Sequence, residues 1–330
     1  MGIGMQAQTL PPGNWYQEAT INGVDVPKRR TTDTSELRWT NLVKPLIQKD
    51  GGVCTDLGCN AGFYSRKLAD LGFAAIGVER EQEFLAHARY WEEMEPKGVK
   101  IVDADINDYN LQCSSLLLLC QVHYWLEPPQ VTALVEKIKG KAVDVIVVGK
   151  HKALRPLHPM FGNIPNARVH KSPCDMESLR TIFSDWDEVE STSGAKHFSI
   201  LFRNKYLYEK SVWDINTEQN QFTDILYPAF GEFVDLILGE KVFRTEETSY
   251  YKYLTHRGFK NKDSLVKRHT ELIYSILEHG IKEPLTLKEG NVYDGHHRLI
   301  IARKLNLKKL ICREKHNATL RLSVQEMRSS

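Results

Sequence analysis

The stretch from Val53 to Glu79, VCTDLGCNAGFYSRKLADLGFAAIGVE, constrains the fold more than any other part of this 330-residue chain. Val53 to Leu57 is short and partly β-branched, as a buried parallel strand is, and the small residues Gly58, Asn60, Ala61 and Gly62 follow at once. The two glycines reach dihedrals closed to other residues and Asn60 tolerates the left-handed region. A helix from about Phe63 to Leu71 then points its N-terminal amides at whatever occupies the turn. A second strand ends in Glu79, 21 residues after Gly58 and close to the ~20 expected for a carboxylate that grips ribose hydroxyls. The pattern predicts a βαβ unit that binds a nucleotide.

A dinucleotide site carries G-x-G-x-x-G, with a third glycine for close helix packing, whereas this chain has D-x-G-x-N-x-G from Asp56 to Gly62. Asp56 ends the first strand and is expected in the mouth of the site. A carboxylate there repels a pyrophosphate and attracts an ammonium such as that of S-adenosylmethionine (SAM). On these residues the chain resembles the class I SAM-dependent methyltransferases, whose first motif is an acid followed by G-x-G-x-G, here with Asn60 at the middle glycine. The resemblance covers about Asn14 to Arg203 and implies an α/β, Rossmann-like seven-stranded sheet with SAM as cofactor. It places Asp56, Gly58, Asn60 and Gly62 near the methionine moiety and Glu79 on the ribose. It also implies an acid after the third strand that accepts from the adenine amino group, for which Asp105 is the choice, with Ile106 beside the ring and Gln121 as a further cofactor contact. Read from the residues alone, Asp103 and Asp105 also suit loop or helix-capping carboxylates.

The later segments keep the strand–helix rhythm. Glu81 to Glu93 reads as a helix, Val99 to Asp103 as a strand, Ser115 to Val122 as a central strand, and Pro128 to about Lys139 as a helix. Val143 to Gly149 is a fifth strand, Met176 to Ser184 a helix, and Asp187 to Ser193 with His197 to Arg203 an antiparallel pair. His123 leaves the carboxyl end of the central strand, where open α/β sheets bind ligands, and is the candidate base for an oxygen or nitrogen acceptor, with Tyr124 and Lys150 in reserve. Ahead of the core, Trp15-Tyr16 and Arg38-Trp39 resemble the lead-in of methyltransferases near the tRNA wobble-uridine carboxymethyl-transferring enzyme, in which such residues fold over the cofactor. Ordinary core aromatics at Trp15 and Trp39, with Arg29 and Arg30 on the surface, fit the same residues. The wobble-uridine likeness leaves a carboxylated SAM derivative open as the cofactor.

A second, smaller unit is expected after the sheet. The division is residues 1–48 as lead-in, 49–203 as the methyltransferase domain, 204–241 as a helical bridge interrupted at Pro228 and Gly231, and 242–330 as an α+β domain. Within the last, Ser264 to His279 carries an apolar stripe of Leu265, Leu272, Ile273, Ile276 and Leu277, closed by Gly280. Two short strands, Leu285 to Leu287 and Asn291 to Tyr293, precede Asp294-Gly295-His296-His297-Arg298 at the start of a helix, and Leu310 to Arg313 is a last strand. A glycine, free helical amides, two imidazoles and a guanidinium suit phosphate.

This loop resembles the ParB/sulfiredoxin fold, in its D-G-H-x-R form with an upstream Glu-Pro that is closer to the ATP-using members such as the free-serine kinases. The resemblance implies ATP or CTP with Mg²⁺, Gly295, His296, His297 and Arg298 on phosphate, Asp294 on the metal or a hydroxyl, and Glu283 as base. A non-catalytic docking module is the alternative. No cysteine or acid stands in zinc spacing around the two histidines, so no resident metal site is assigned.

Composition agrees with two domains. A net charge of +2 gives no strong case for duplex DNA, which leaves a small molecule or a nucleoside or RNA as acceptor. The six cysteines show no CxxC, which points to reduced thiols and a cytoplasmic setting; Cys54 and Cys59 read as small packing residues. No apolar run is long enough for a membrane span, and Met1 to Pro12 and Gln325 to Ser330 are expected to fray.

Overall fold

The computed structural model describes residues 15–26, 34–151, 171–172, 174–215, 217, 221–239 and 243–315. The ends expected to fray and the pair Arg29 and Arg30 lie outside these residues. The chain divides into two compact units, residues 1–205 and 206–330.

The first unit is a three-layer α/β domain. After a lead-in with a two-stranded sheet (Thr20–Ile21, Val24–Asp25) and short helical turns from Ser35 to Leu46, its main elements are β1 (Val53–Leu57), α1 (Phe63–Asp70), β2 (Ala74–Glu79), α2 (Gln82–Met94), β3 (Lys100–Asp103), β4 (Ser114–Cys120), α3 (Pro128–Lys139), β5 (Ala142–Lys150), α4 (Met176–Ile182), β6 (Asp187–Ser193) and β7 (His197–Arg203). The seven strands lie in the order β3-β2-β1-β4-β5-β7-β6. The first five are parallel; β7 runs antiparallel to β5 and to β6. The order reverses between β1 and β4, which opens a crevice at their carboxyl ends.

Side chains alternate between the faces of the central strands, as the period of two requires. Leu116 and Leu118 of β4 with Ile146 and Val148 of β5 join one core; Leu117, Leu119, Val145 and Val147 join the other. The first core is closed by α1, α2 and the lead-in, where Trp15, Trp39 and Leu46 are buried. Trp15 stacks on His87 at 4.6 Å and meets Trp91 edge-on. Trp15 and Trp39 are thus core aromatics. The second core is closed by α3 and α4 through Val131, Leu134, Ile138, Leu179 and Phe183. A buried carboxylate, Asp144 in β5, accepts from Arg203 of β7 at 2.9 Å and pairs with Lys49 at 3.1 Å, so its charge is matched.

The second unit comprises β8 (Tyr208–Ser211), α5 (Gln221–Leu238), α6 (Ser249–His256), α7 (Lys262–His279), β9 (Leu285–Lys288), β10 (Asn291–Asp294), α8 (His296–Lys304) and β11 (Lys309–Glu314). Its four-stranded sheet runs β8-β11-β9-β10, with only the β9–β11 pair parallel. Of the stretch expected as a bridge, β8 pairs with β11, and α5 places Phe230, Phe233 and Val234 in the core of this unit. The helix is not interrupted: Pro228 and Gly231 sit inside a continuous α5. Gly231 instead faces α8, where an added Cβ would lie 3.0 Å from Lys304 Cε.

The middle of α8 is buried on every side, with Leu299, Ile300, Ile301 and Ala302 in succession, because it lies between the sheet and the other helices. The stripe on α7 is rotated from the expected one. Val266, His269, Ile273 and Ile276 are buried, while Leu277 is 47% exposed. A histidine at the centre of the buried face hid the true stripe from an apolar count.

Candidate functional site

Gly58, Asn60 and Gly62 all have positive φ, at 75°, 55° and 84°, so the turn after β1 folds back on itself in a form that few other residues allow. The fit is close. A Cβ on Gly58 would stand 2.6 Å from Val122 Cγ2, and one on Gly77 of β2 would stand 2.7 Å from Cys59 Sγ. The role of the third glycine in a dinucleotide motif, close packing against the turn, is therefore taken by Gly77, a signal that lies outside the turn's own sequence.

The turn is seated on Glu79. Its Oε2 accepts from the Asn60 amide at 2.9 Å, and its Oε1 accepts from the amides of Arg80 at 2.8 Å and Glu81 at 3.0 Å. The expected ribose carboxylate is thus held in one orientation at the end of β2, beside the turn, with one lone pair on Oε2 left over. Asp105 follows β3 and accepts from the Asn107 amide at 2.9 Å and from Arg80 Nη1 at 2.5 Å. Those bonds hold its carboxyl below the usual range despite partial burial. Asp105 caps the next turn, as its capping reading expects, and its side chain stays about a quarter exposed. Ile106 beside it is buried. Asp103 is exposed and near Gln82 and Arg89.

Asp56 is not in the mouth. It is 1% exposed, beneath the turn, and its Oδ2 accepts from Ser65 Oγ of α1 at 2.8 Å, while Oδ1 is buried with no partner among the described residues. Burial raises its carboxyl to about 7, against the lowering by the Ser65 bond. The alternation of β1 explains the placement, because the face Asp56 occupies is the one α1 covers. The opening of α1 also differs from expectation. The Phe63 amide donates to Gln17 Oε1 at 3.1 Å, so the lead-in supplies an acceptor to the first helical amide.

Gln121 follows β4 with φ of 61° and lies where the crevice opens. Its Oε1 accepts from Tyr124 Oη at 3.3 Å and lies 3.5 Å from Arg38 Nη1, while its Nε2 is buried with no partner among the described residues. Arg38 also donates to Tyr64 Oη at 3.0 Å. The network joins the lead-in, α1 and the end of β4. Sequence reasoning missed Gln17, Tyr64 and Ser65 because each acts through an interior contact with no motif spacing.

His123 begins a single 3₁₀ turn, is 2% exposed and packs edge-on against Tyr124 at 5.1 Å. Tyr124 is also buried, which pushes its phenol up and away from proton transfer. Lys150 Nζ lies 5.1 Å over the Tyr124 ring at the end of β5. Burial likewise pushes the Cys54 and Cys59 thiols up, in keeping with packing residues.

In the second unit a cavity of about 530 Å³ is lined by Arg268, His269, Glu271 and Ser275 of α7 and by the loop Asp294 to Arg298. Gly295 caps α8 with φ of 102°. Arg298 clamps the loop: it donates to the carbonyls of Glu283 at 2.9 Å and Pro284 at 3.1 Å and to Asp294 Oδ2 at 2.9 Å. His297 stacks on His269 at 4.1 Å, and Tyr250 Oη lies 2.6 Å from His269 Nδ1 and 3.4 Å from His297 Nε2. Burial holds the pair neutral, His269 at about 4 and His297 at about 3. His296 meets Tyr227 edge-on at 6.1 Å. Glu283 is exposed and outside the cavity lining, so the cluster does not include the expected base. Among the described residues no group of three metal-ligating side chains occurs, and no helix is long and apolar enough to cross a membrane.

Comparison with known proteins adds a family. A family model described as a methyltransferase domain matches residues 55–140, the span that runs from β1 through α3. No curated protein matches the chain. Among solved structures, the PH0226 protein from Pyrococcus horikoshii OT3 is 14% identical, with a TM-score of 0.44, covering 53% of this chain and 93% of its own. Magnesium protoporphyrin IX methyltransferase from Synechocystis PCC 6803 with bound SAH (S-adenosylhomocysteine) is 17% identical, with a TM-score of 0.40, covering 47% and 75%. The N-methyltransferase NodS from Bradyrhizobium japonicum WM9 is 15% identical, with a TM-score of 0.41, covering 52% and 87%. The matched span takes in the glycine turn, Glu79 and the crevice strands, and over it the N-terminal unit carries a methyltransferase domain.

Proposed function

We propose that SAM binds across the β1 and β2 ends and that the methyl acceptor is a small molecule or a nucleoside, free or within RNA, presented beside β4 and β5. The observation that carries this reading is the seating of the turn on Glu79 through the Asn60 amide at 2.9 Å. The residues fit the cofactor: a turn that Gly58 lets pack tightly against Val122, an oriented carboxylate at Glu79 and, on Gln121, a buried amide nitrogen with no partner among the described residues. SAM, when bound, supplies a methyl carbon already activated by its sulfonium.

The protein's tasks are then to bind and orient. Glu79 accepts from a ribose hydroxyl with the remaining lone pair on Oε2, Asp105 accepts from the adenine amino group, and Ile106 packs against the ring. Gly58, Asn60 and Gly62 line the methionine end, and Asp56 acts from beneath by holding Ser65 and the start of α1. His123 takes the acceptor's proton, with Lys150 as the second choice. Methyl-labelled SAM offered with nucleosides, total RNA and small-molecule pools tests this reading. Label in one pool, lost in His123→Gln with SAH binding kept, is the expected result; label in none overturns it.

For the C-terminal unit the best supported reading is a ParB/sulfiredoxin-like docking module that takes the phosphates of ATP or CTP, with Mg²⁺, in the cavity at the start of α8. Arg268, His296 and the amides after Gly295 face that space, whereas Arg298 is used by the loop itself. A kinase-type step is less well supported, since Glu283 stands outside the cavity lining. ATP turnover by the parent, abolished in Glu283→Ala with nucleotide binding kept, would reverse that preference.

A further inference from the structure

The hairpin of α6 and α7 carries a charge pattern of which the cavity uses only Arg268. Residues 252–268 hold six Lys and Arg, namely Lys252, Arg257, Lys260, Lys262, Lys267 and Arg268, against one acid, a formal +5 within a chain whose total is +2. All are exposed except half-buried Lys262. The single acid, Asp263, accepts from Tyr251 Oη at 3.0 Å, and among the described residues no ion pair holds Lys252, Lys260, Lys262, Lys267 or Arg268. Lys260 and Lys262 flank the N-terminus of α7, where the helix dipole disfavours cations. The helix's own stability does not account for them.

Between the two helices, Gly258 takes φ of 73° and the Phe259 amide donates back to the Leu254 carbonyl at 3.1 Å, which fixes the tip of the hairpin. Phe259 is left 41% exposed there, with Lys260 beside it. Arg268, further along α7, also lines the cavity. A cluster of exposed cations around an aromatic ring at a hairpin tip is the combination that single-stranded nucleic acid binds, through phosphate contacts and base stacking. Duplexes keep their bases stacked and need a larger positive field than this chain has. Unstacked bases are most often offered by RNA loops and ends.

We propose that the α6–α7 hairpin is a docking surface for single-stranded RNA, with phosphates on Arg257, Lys260, Lys267 and Arg268 and a base stacked on Phe259. The proposal rests on the reading of the C-terminal unit as a docking module, and it adds the surface and the partner.

The test is fluorescence anisotropy of the full chain with a labelled 12-nucleotide single-stranded RNA across a salt series. Four phosphate contacts give a log–log salt slope of about −2.8, at about −0.7 per contact. The double variant Lys260→Gln/Lys267→Gln lowers the magnitude of the slope by about 1.4, and Phe259→Ala weakens binding about tenfold or more. SAH binding and thermal midpoint stay as in the parent, because the altered side chains are exposed.

Absence of RNA binding, equal binding of duplex, single-stranded DNA, polyglutamate or anionic vesicles, or variants that bind as the parent does would each overturn the proposal. ATP titrated in parallel separates the two readings. ATP binding without RNA binding removes the hairpin proposal alone, whereas the expected RNA response without ATP binding supports the hairpin and removes the cavity's nucleotide.

Discussion

Asp56 shows how a motif residue can sit at its expected sequence position and do different work. Its carboxyl, near 3.8 in an unconstrained chain, is raised to about 7 by burial in the folded unit. Between about pH 4 and 7 the folded chain keeps a proton that the unfolded chain releases. Stability is therefore fully present below pH 4, falls as the pH rises through 7, and levels off above. Urea unfolding between pH 5 and 8 should show this loss, on the order of 1–4 kcal/mol, flattened in Asp56→Asn; a parent and variant with the same pH dependence would show that the carboxyl is not protonated when folded. Glu79 was legible from spacing because the strand and helix lengths between it and Gly58 leave little freedom. Ser65, Gln17 and Tyr64 were not, since a hydrogen bond made inside a packed face leaves no period or motif in the sequence.

At the level of elements, the closeness of the turn to β2 is the feature most open to a single change. Gly77→Ala places a methyl 2.7 Å from Cys59 Sγ and 3.0 Å from Ser65 Oγ, both in the turn–helix region that carries the site. Overpacking of this kind costs about 1–3 kcal/mol, and relief requires the turn to move away from Glu79. The variant should lose thermal stability and SAH affinity together; full affinity in a destabilised variant would separate the turn from the cofactor. The strands of the first unit were readable because apolar β-branched runs and turn residues agree. The strand at Tyr208 to Ser211 was not, since its four half-buried residues show no alternation and its partner is about 100 residues away in sequence. The uninterrupted α5 was missed because an internal proline and glycine outweigh, on paper, the packing that holds the helix together.

Across the whole molecule, two units with separate cores respond to different conditions. In the second, the folded state holds His269 and His297 neutral, at about 4 and about 3, whereas the unfolded chain takes up protons below about 6.5. That stability is present above pH 6.5 and is lost as the pH falls through 4. Scanning calorimetry at pH 7 and pH 5 should therefore lower the transition of the second unit, by less in His269→Gln; a transition unmoved by acid would mean that the pair is not buried as described.

The central claim, that the turn after β1 and Glu79 together hold SAM, is tested most directly by calorimetric titration of SAH into the full chain and into Glu79→Ala. The account predicts saturable binding at one site in the parent and a loss of tenfold or more in a variant that remains folded, from the hydrogen bonds removed. No heat in the parent, or the same isotherm from both proteins, would contradict it.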